Sequence, residues 1–152
     1  MSTKSVADRR FADVQIAETN AAVLVNGTTI FTVSGGPIII EDLIAVCKTA
    51  NGATASTLQL SADGTDGAAT TFTGASASLA NAAAGSIVAM LGTAVSTAPA
   101  LYADGVGITG ATHGIIVPAG IITTTVGVGS TTGTWKFYMR YRPMSQSSVV
   151  GS

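Results

Sequence analysis

The clearest alternation of apolar and polar positions lies near the C-terminus, in the run TWKFYMRYR at residues 134–142. Trp135, Phe137, Met139 and Tyr141 share one parity, and Lys136, Tyr138, Arg140 and Arg142 the other. Period two is the repeat of a β-strand, so the run predicts a strand with an aromatic, apolar face and a cationic face. The same period recurs upstream. Ile30 and Thr32 alternate with Phe31 and Val33, and Leu58 and Leu60 share a face before an acidic glycine turn. The stretch IIIEDLIAVCKTA (38–50) is long enough for a helix, but Pro37 and the β-branched Ile38-Ile39-Ile40 favour a strand.

Turn residues divide the chain between these runs. Asn26-Gly27 between apolar segments is a hairpin signal, and Gly35-Gly36-Pro37 marks a second turn. Residues 68–84, rich in Ala, Thr, Ser and Gly, read as a loop with a short strand. Further strands are expected at 86–91, 100–103, 114–118, 120–128 and 134–142, with residues 115–142 forming a C-terminal hairpin. Short strands with turns every eight to twelve residues or so predict an all-β sandwich. About eight strands, with no βαβ alternation, point to a single jelly-roll-like domain. That domain spans 21–143. Residues 1–20, polar and mixed in charge, read as an extended N-terminal arm, and 144–152 as a flexible tail.

Composition sharpens the picture where it is uneven. The 152-residue chain has a formal charge of −1 and only 10% charged residues, so it offers no general attraction to nucleic acid or to an anionic membrane. Residues 19–135 hold Lys48 against Glu41, Asp42, Asp63, Asp66 and Asp104, whereas the last predicted strand adds Lys136, Arg140 and Arg142. The expectation is a basic stripe that meets an acidic partner. Mean hydropathy is +0.50, yet no apolar run reaches the roughly 20 residues of a membrane span. Such hydrophobicity implies that part of the surface is covered in an assembly. The start of the chain has no apolar core of a signal peptide. The single Cys47 allows no intrachain disulfide, so synthesis in a reducing cytoplasm is expected.

Candidate chemistry is sparse. Gly105-Val-Gly-Ile-Thr-Gly110 matches the dinucleotide fingerprint in letters only, because a strand follows it and no acidic residue lies about 20 positions on. Asp63-Gly-Thr-Asp-Gly67 lacks the further ligands of a calcium loop. His113 is the sole histidine and reads as a loop residue, and Cys47 as a small buried apolar group. Glu41 and Asp42 are adjacent; in a regular strand they point to opposite faces, and only a bulge would bring them together. No catalytic residues, cofactor or metal are expected, and the chain does not read as an enzyme.

The polar N-terminal arm, the segment FTVSGGPIIIEDLIAV (31–46) and the segment VPAGIITTTVGVGSTTGTWKFYMRYRPM (117–144) together resemble the small jelly-roll capsid decoration, or cement, proteins of tailed bacteriophages. The resemblance covers roughly residues 22–143. It implies a structural protein on the exterior of the virion, made in the host cytoplasm, that bridges major capsid subunits and forms a homo-oligomer, trimer or dimer. Its contacts would come from Arg9, Arg10, Phe11, Val14 and Ile16 of the arm and from Lys136, Arg140 and Arg142 of the last strand. The alternative virion role is a head-fibre or tail receptor-binding component. A cellular lectin-like module is the reading outside the virion, disfavoured by the scarcity of aromatic rings.

Overall fold

The computed structural model describes residues 13–65, 67–90, 100–102 and 114–152. Arg9, Arg10, Phe11, Asp66, the glycine run at 105–110 and His113 lie outside the described residues. Twelve strands are present, and there is no helix among the described residues. In chain order they are β1 (Gln15–Glu18), β2 (Ala22–Val25), β3 (Thr29–Ser34), β4 (Ile38–Cys47), β5 (Leu58–Gly64) and β6 (Thr70–Thr71), followed by β7 (Ile87–Ala89), β8 (Ala100–Tyr102), β9 (Ile115–Val117), β10 (Gly120–Val126), β11 (Ser130–Pro143) and β12 (Val149–Gly151).

Every pairing is antiparallel, and the strands form two sheets. The seven-stranded sheet runs β1-β11-β4-β7-β8, with β2 also on β11 and β9 also on β4. The five-stranded sheet runs β12-β3-β10-β5-β6. Their inner faces supply one core. Trp135, Phe137, Met139, Leu43 and Ile40 from the larger sheet join Phe31, Val33, Leu58, Leu60 and Ile122 from the smaller. The parity read from residues 134–142 is the parity observed: Trp135, Phe137, Met139 and Tyr141 are buried, and the residues between them face out. Trp135, Phe137 and Met139 are among the largest fully buried side chains, together with Phe31, Leu43, Leu58 and Ile122 from other strands.

Four pairings are nested around one another: β3 with β12, β4 with β11, β5 with β10, and β7 with β8. Successive pairs alternate between the two sheets. This nesting explains where the sequence expectations depart from the structure. The strands number twelve rather than about eight, and β4 and β11 have ten and fourteen residues. Asn26-Gly27 does turn the chain, with Thr28 N–H donating to the Val25 carbonyl at 3.1 Å. It joins strands of different sheets, however, and makes no hairpin. β10 and β11 likewise lie in different sheets, so 115–142 is not a hairpin either.

The two ends of the chain add strands. β1, inside the span read as an arm, pairs Gln15–Glu18 with Tyr138–Tyr141. β12, inside the span read as a tail, pairs with Thr32–Ser34 of β3. A serine cluster docks the C-terminal segment: Ser148 Oγ donates to the Pro37 carbonyl (2.9 Å), and the Ser145 N–H donates to Ser148 Oγ (3.2 Å). The contact requires glycine at position 35. Its φ is +74°, and any side chain there would collide with the Ser147 carbonyl.

Candidate interaction surface

The outer face of the seven-stranded sheet gathers most of the charged residues described in the chain. Along β11, Lys136, Tyr138, Arg140 and Arg142 face outward. Beside them, β1 presents Ile16 and Glu18, in register with Arg140 and Tyr138. On the other flank β4 presents Ile39, Ile44 and Val46, and β9 adds Ile116.

The β4 ladder contains the irregularity that the Glu41-Asp42 pair would need. Arg140 stands opposite Asp42, but Tyr141 stands opposite Ile40, so Glu41 is an extra residue without a partner on β11. A bulge of this kind breaks the two-residue repeat. Glu41 and Asp42 are both half-buried instead of alternating in and out. Two carboxylates thereby join the cationic face.

The cations of the expected basic stripe have carboxylate partners within the chain. Lys136 Nζ lies 3.1 Å from Glu18 Oε1, and Arg140 Nε lies 3.4 Å from Glu41 Oε2. Arg142 pairs with the other oxygen of the same Glu41. The two arginines therefore share one carboxylate, yet their side chains remain 55% and 51% exposed, while that of Glu41 is only 19% exposed. A guanidinium has five N–H donors, so each arginine keeps donors for a further acceptor. The hydrogen bond to Glu18 raises the Lys136 ammonium above its ordinary pKa, and the same ammonium lies 5.0 Å from the Tyr138 ring centroid. Asp42 has no ion pair among the described residues, and its fully shielded Oδ1 accepts no hydrogen bond there.

Between the charges the face is apolar. Ile16 is 75% exposed and Ile116 64%. A shallow depression of about 340 Å³ is lined by Ile16, Asp42, Ile44, Tyr138, Met139 and Arg140. Isoleucine, tyrosine and arginine around largely compensated charges make the composition of a contact surface. The face holds Ile16, Lys136, Arg140 and Arg142 of the residues expected to bind a partner. Val14, just before β1, is 38% exposed; Arg9, Arg10 and Phe11 are not among the described residues. Sequence reasoning missed Glu18, Ile44, Ile116 and Tyr138, whose roles depend on strand register.

The remaining candidates have structural surroundings. Cys47 is buried, its thiol donates to the Thr49 carbonyl (3.1 Å), and burial raises its pKa. No group of three His, Cys, Asp or Glu side chains among the described residues is placed to hold a metal ion. No protein-family model, curated protein or solved structure matches the chain.

Proposed function

We propose that this chain is a structural virion protein. It decorates the outside of a tailed-bacteriophage capsid, bridges major capsid subunits and assembles with copies of itself. The observation that carries the reading is the outer face of the seven-stranded sheet, where exposed isoleucines surround three cations that share two carboxylates. A stiff sheet presents such a face without ordering a loop, so contact costs little conformational entropy. Small contacts repeated over a closed shell add up through multivalency.

The nested strand pairs support a jelly-roll reading of the two sheets, in which a long hairpin is rolled so that successive pairs fall in alternate layers. Here β12 occupies an edge and β3 lies inside the sheet.

The test is co-sedimentation of the purified chain with intact phage shells. Binding should saturate at a copy number set by the shell's symmetry. It should weaken when Arg140 and Arg142 are both replaced by Glu, because like charges then gather around Glu41 and part the copies whose joint attachment gives multivalency. Since the cations are already largely compensated inside the chain, attachment should change only modestly with salt. Absence of binding, or binding that never saturates, would remove the reading.

A further inference from the structure

We infer that the seam between β4 and β11 is a two-fold contact with a second copy of this chain. The inference deepens the self-assembly part of the reading above and rests on it. Its starting point is the charge pattern. Three cations, Lys136, Arg140 and Arg142, form one column on β11, and Glu41 and Asp42 form an adjacent column on β4. With Glu18 on β1 the face holds three positive and three negative groups, so it has no net charge to attract a strongly acidic partner.

Two sheets stack face to face about 10 Å apart, with strand directions within about 30°. Consider a two-fold axis lying between the stacked faces, parallel to the strands and centred between β4 and β11. This axis sets β11 of one copy over β4 of the other, at the same level along the strands. Each outward side chain then faces the copy of its own register partner. Arg140 meets Asp42 of the second copy, and Tyr138 meets Ile44. Arg142 arrives over Ile39 and beside Glu41, and Lys136 over Val46. No cation meets a cation.

The spare chemistry of the face matches this arrangement. Arg140 is half exposed despite its bond to Glu41, and Asp42 has no cation of its own among the described residues. At the rim, β1 of one copy lies over the column of β7 and β9 in the other. Ile16 lies there about two residues along the strands from Ile116, and these are the two most exposed isoleucines described. The face is thus complementary to itself in sign and in apolar content, as an isologous contact requires.

The contact predicts complementation between two charge reversals. In light scattering the parent chain should form a species of twice 15.0 kDa. Asp42→Arg leaves arginine at both positions, and Arg140→Asp leaves aspartate at both. Each variant alone should run as a monomer, with self-association weakened at least about a hundredfold by like-charge contact. Mixed one to one, they should form a mixed dimer, because each arginine again meets an aspartate. Ile16→Lys is too exposed to unfold the domain and should weaken the dimer about tenfold. It keeps the test available even if Asp42→Arg fails to fold.

A monomeric or trimeric parent would overturn the inference. So would folded variants that dimerise like the parent, or reversed variants that stay monomeric on mixing. Shell binding is scored separately on the same proteins. A dimer that ignores shells sinks the virion reading alone, and a monomer that decorates them sinks the seam alone.

Discussion

The outer faces of the two sheets are built from different materials. The seven-stranded sheet turns isoleucine, tyrosine, arginine, lysine and glutamate outward. The five-stranded sheet turns out Thr29, Thr32 and Ser34 on β3, Thr123 and Thr125 on β10, and Gln59, Ser61 and Asp63 on β5. Register lines up Thr29, Thr123, Ser61 and Thr71 across four strands, with the Ser61 and Thr71 hydroxyls 3.1 Å apart. Hydroxyls solvate a sheet without long side chains, and threonine suits a pleated surface. The low overall charge therefore does not mean that every face is covered. One face is kept wet mainly by short hydroxyl groups, with Val149 exposed on its edge strand, and most of the described charge is concentrated on the other.

The largest effect should come from the wall that both faces share. Trp135→Ala or Phe137→Ala removes a fully buried ring between the sheets and should cost about 3–5 kcal/mol, read as a drop in the denaturant midpoint. A smaller loss of either magnitude would mean that the sheets are less interdependent than their common core implies.

Asn51 comes next. Its Oδ1 accepts bonds from the N–H groups of Thr132 and Gly133 (both 2.9 Å) and from Thr132 Oγ1, while Nδ2 donates to the Leu79 carbonyl at 2.8 Å. It fastens the start of β11 to two loops. Asn51→Ala strands the buried Gly133 N–H and should cost about 2–4 kcal/mol. Hydrogen exchange should then rise at residues 130–134 before it rises in the five-stranded sheet.

Changes confined to one outer face should be milder, and they separate the two faces directly. Glu41→Gln takes the shared carboxylate from two half-exposed arginines and should cost about 1 kcal/mol, less at high salt. Ser61→Ala or Thr71→Ala should shift stability by no more than about 0.5 kcal/mol, with no salt dependence. If the hydroxyl variants proved the more damaging, the five-stranded face would be more than a solvated surface.

An alkaline scan gives the smallest signal. Burial holds the Cys47 thiol above its ordinary range, so the folded state retains that proton longer than the unfolded chain. The stability this contributes is whole below the ordinary thiol pKa and is lost as pH rises through the raised folded value. Lys136, raised by Glu18, loses its share in the same direction at higher pH. Cys47→Ala should flatten the first part of that decline.

What the sequence made legible follows from the range of each signal. The parity of residues 134–142 is local, and it correctly divided the strand into core and surface. Asn26-Gly27 foretold a turn, because turn geometry is set by neighbouring residues. Its strands found partners elsewhere, since Leu24 N–H bonds to Thr131 Oγ1 and Gly27 N–H to the Thr124 carbonyl. The balance of the cationic face was not legible. Glu18 reaches Lys136 only when β1 adds to β11, and Gln-Ile-Ala-Glu carries little strand signal of its own. Glu41 joins the same face only through a bulge fixed by the register of β4 on β11.

β11 has one further consequence, which concerns time. It is the partner of β1, β2 and β4, yet residues 48–129 separate it from the last of them. During synthesis those three strands emerge long before the strand that joins them. The seven-stranded sheet can close only when residues 130–143 have left the ribosome, and the pairs of β3 with β12, β4 with β11 and β5 with β10 must each close a long loop. Folding dominated by such distant pairings is slow, on the order of milliseconds to seconds, and leaves strand edges exposed meanwhile. For this chain the hazardous interval comes before β11 arrives, when Ile38-Ile39-Ile40 has at most β9 on one side and its other edge is open to another nascent copy.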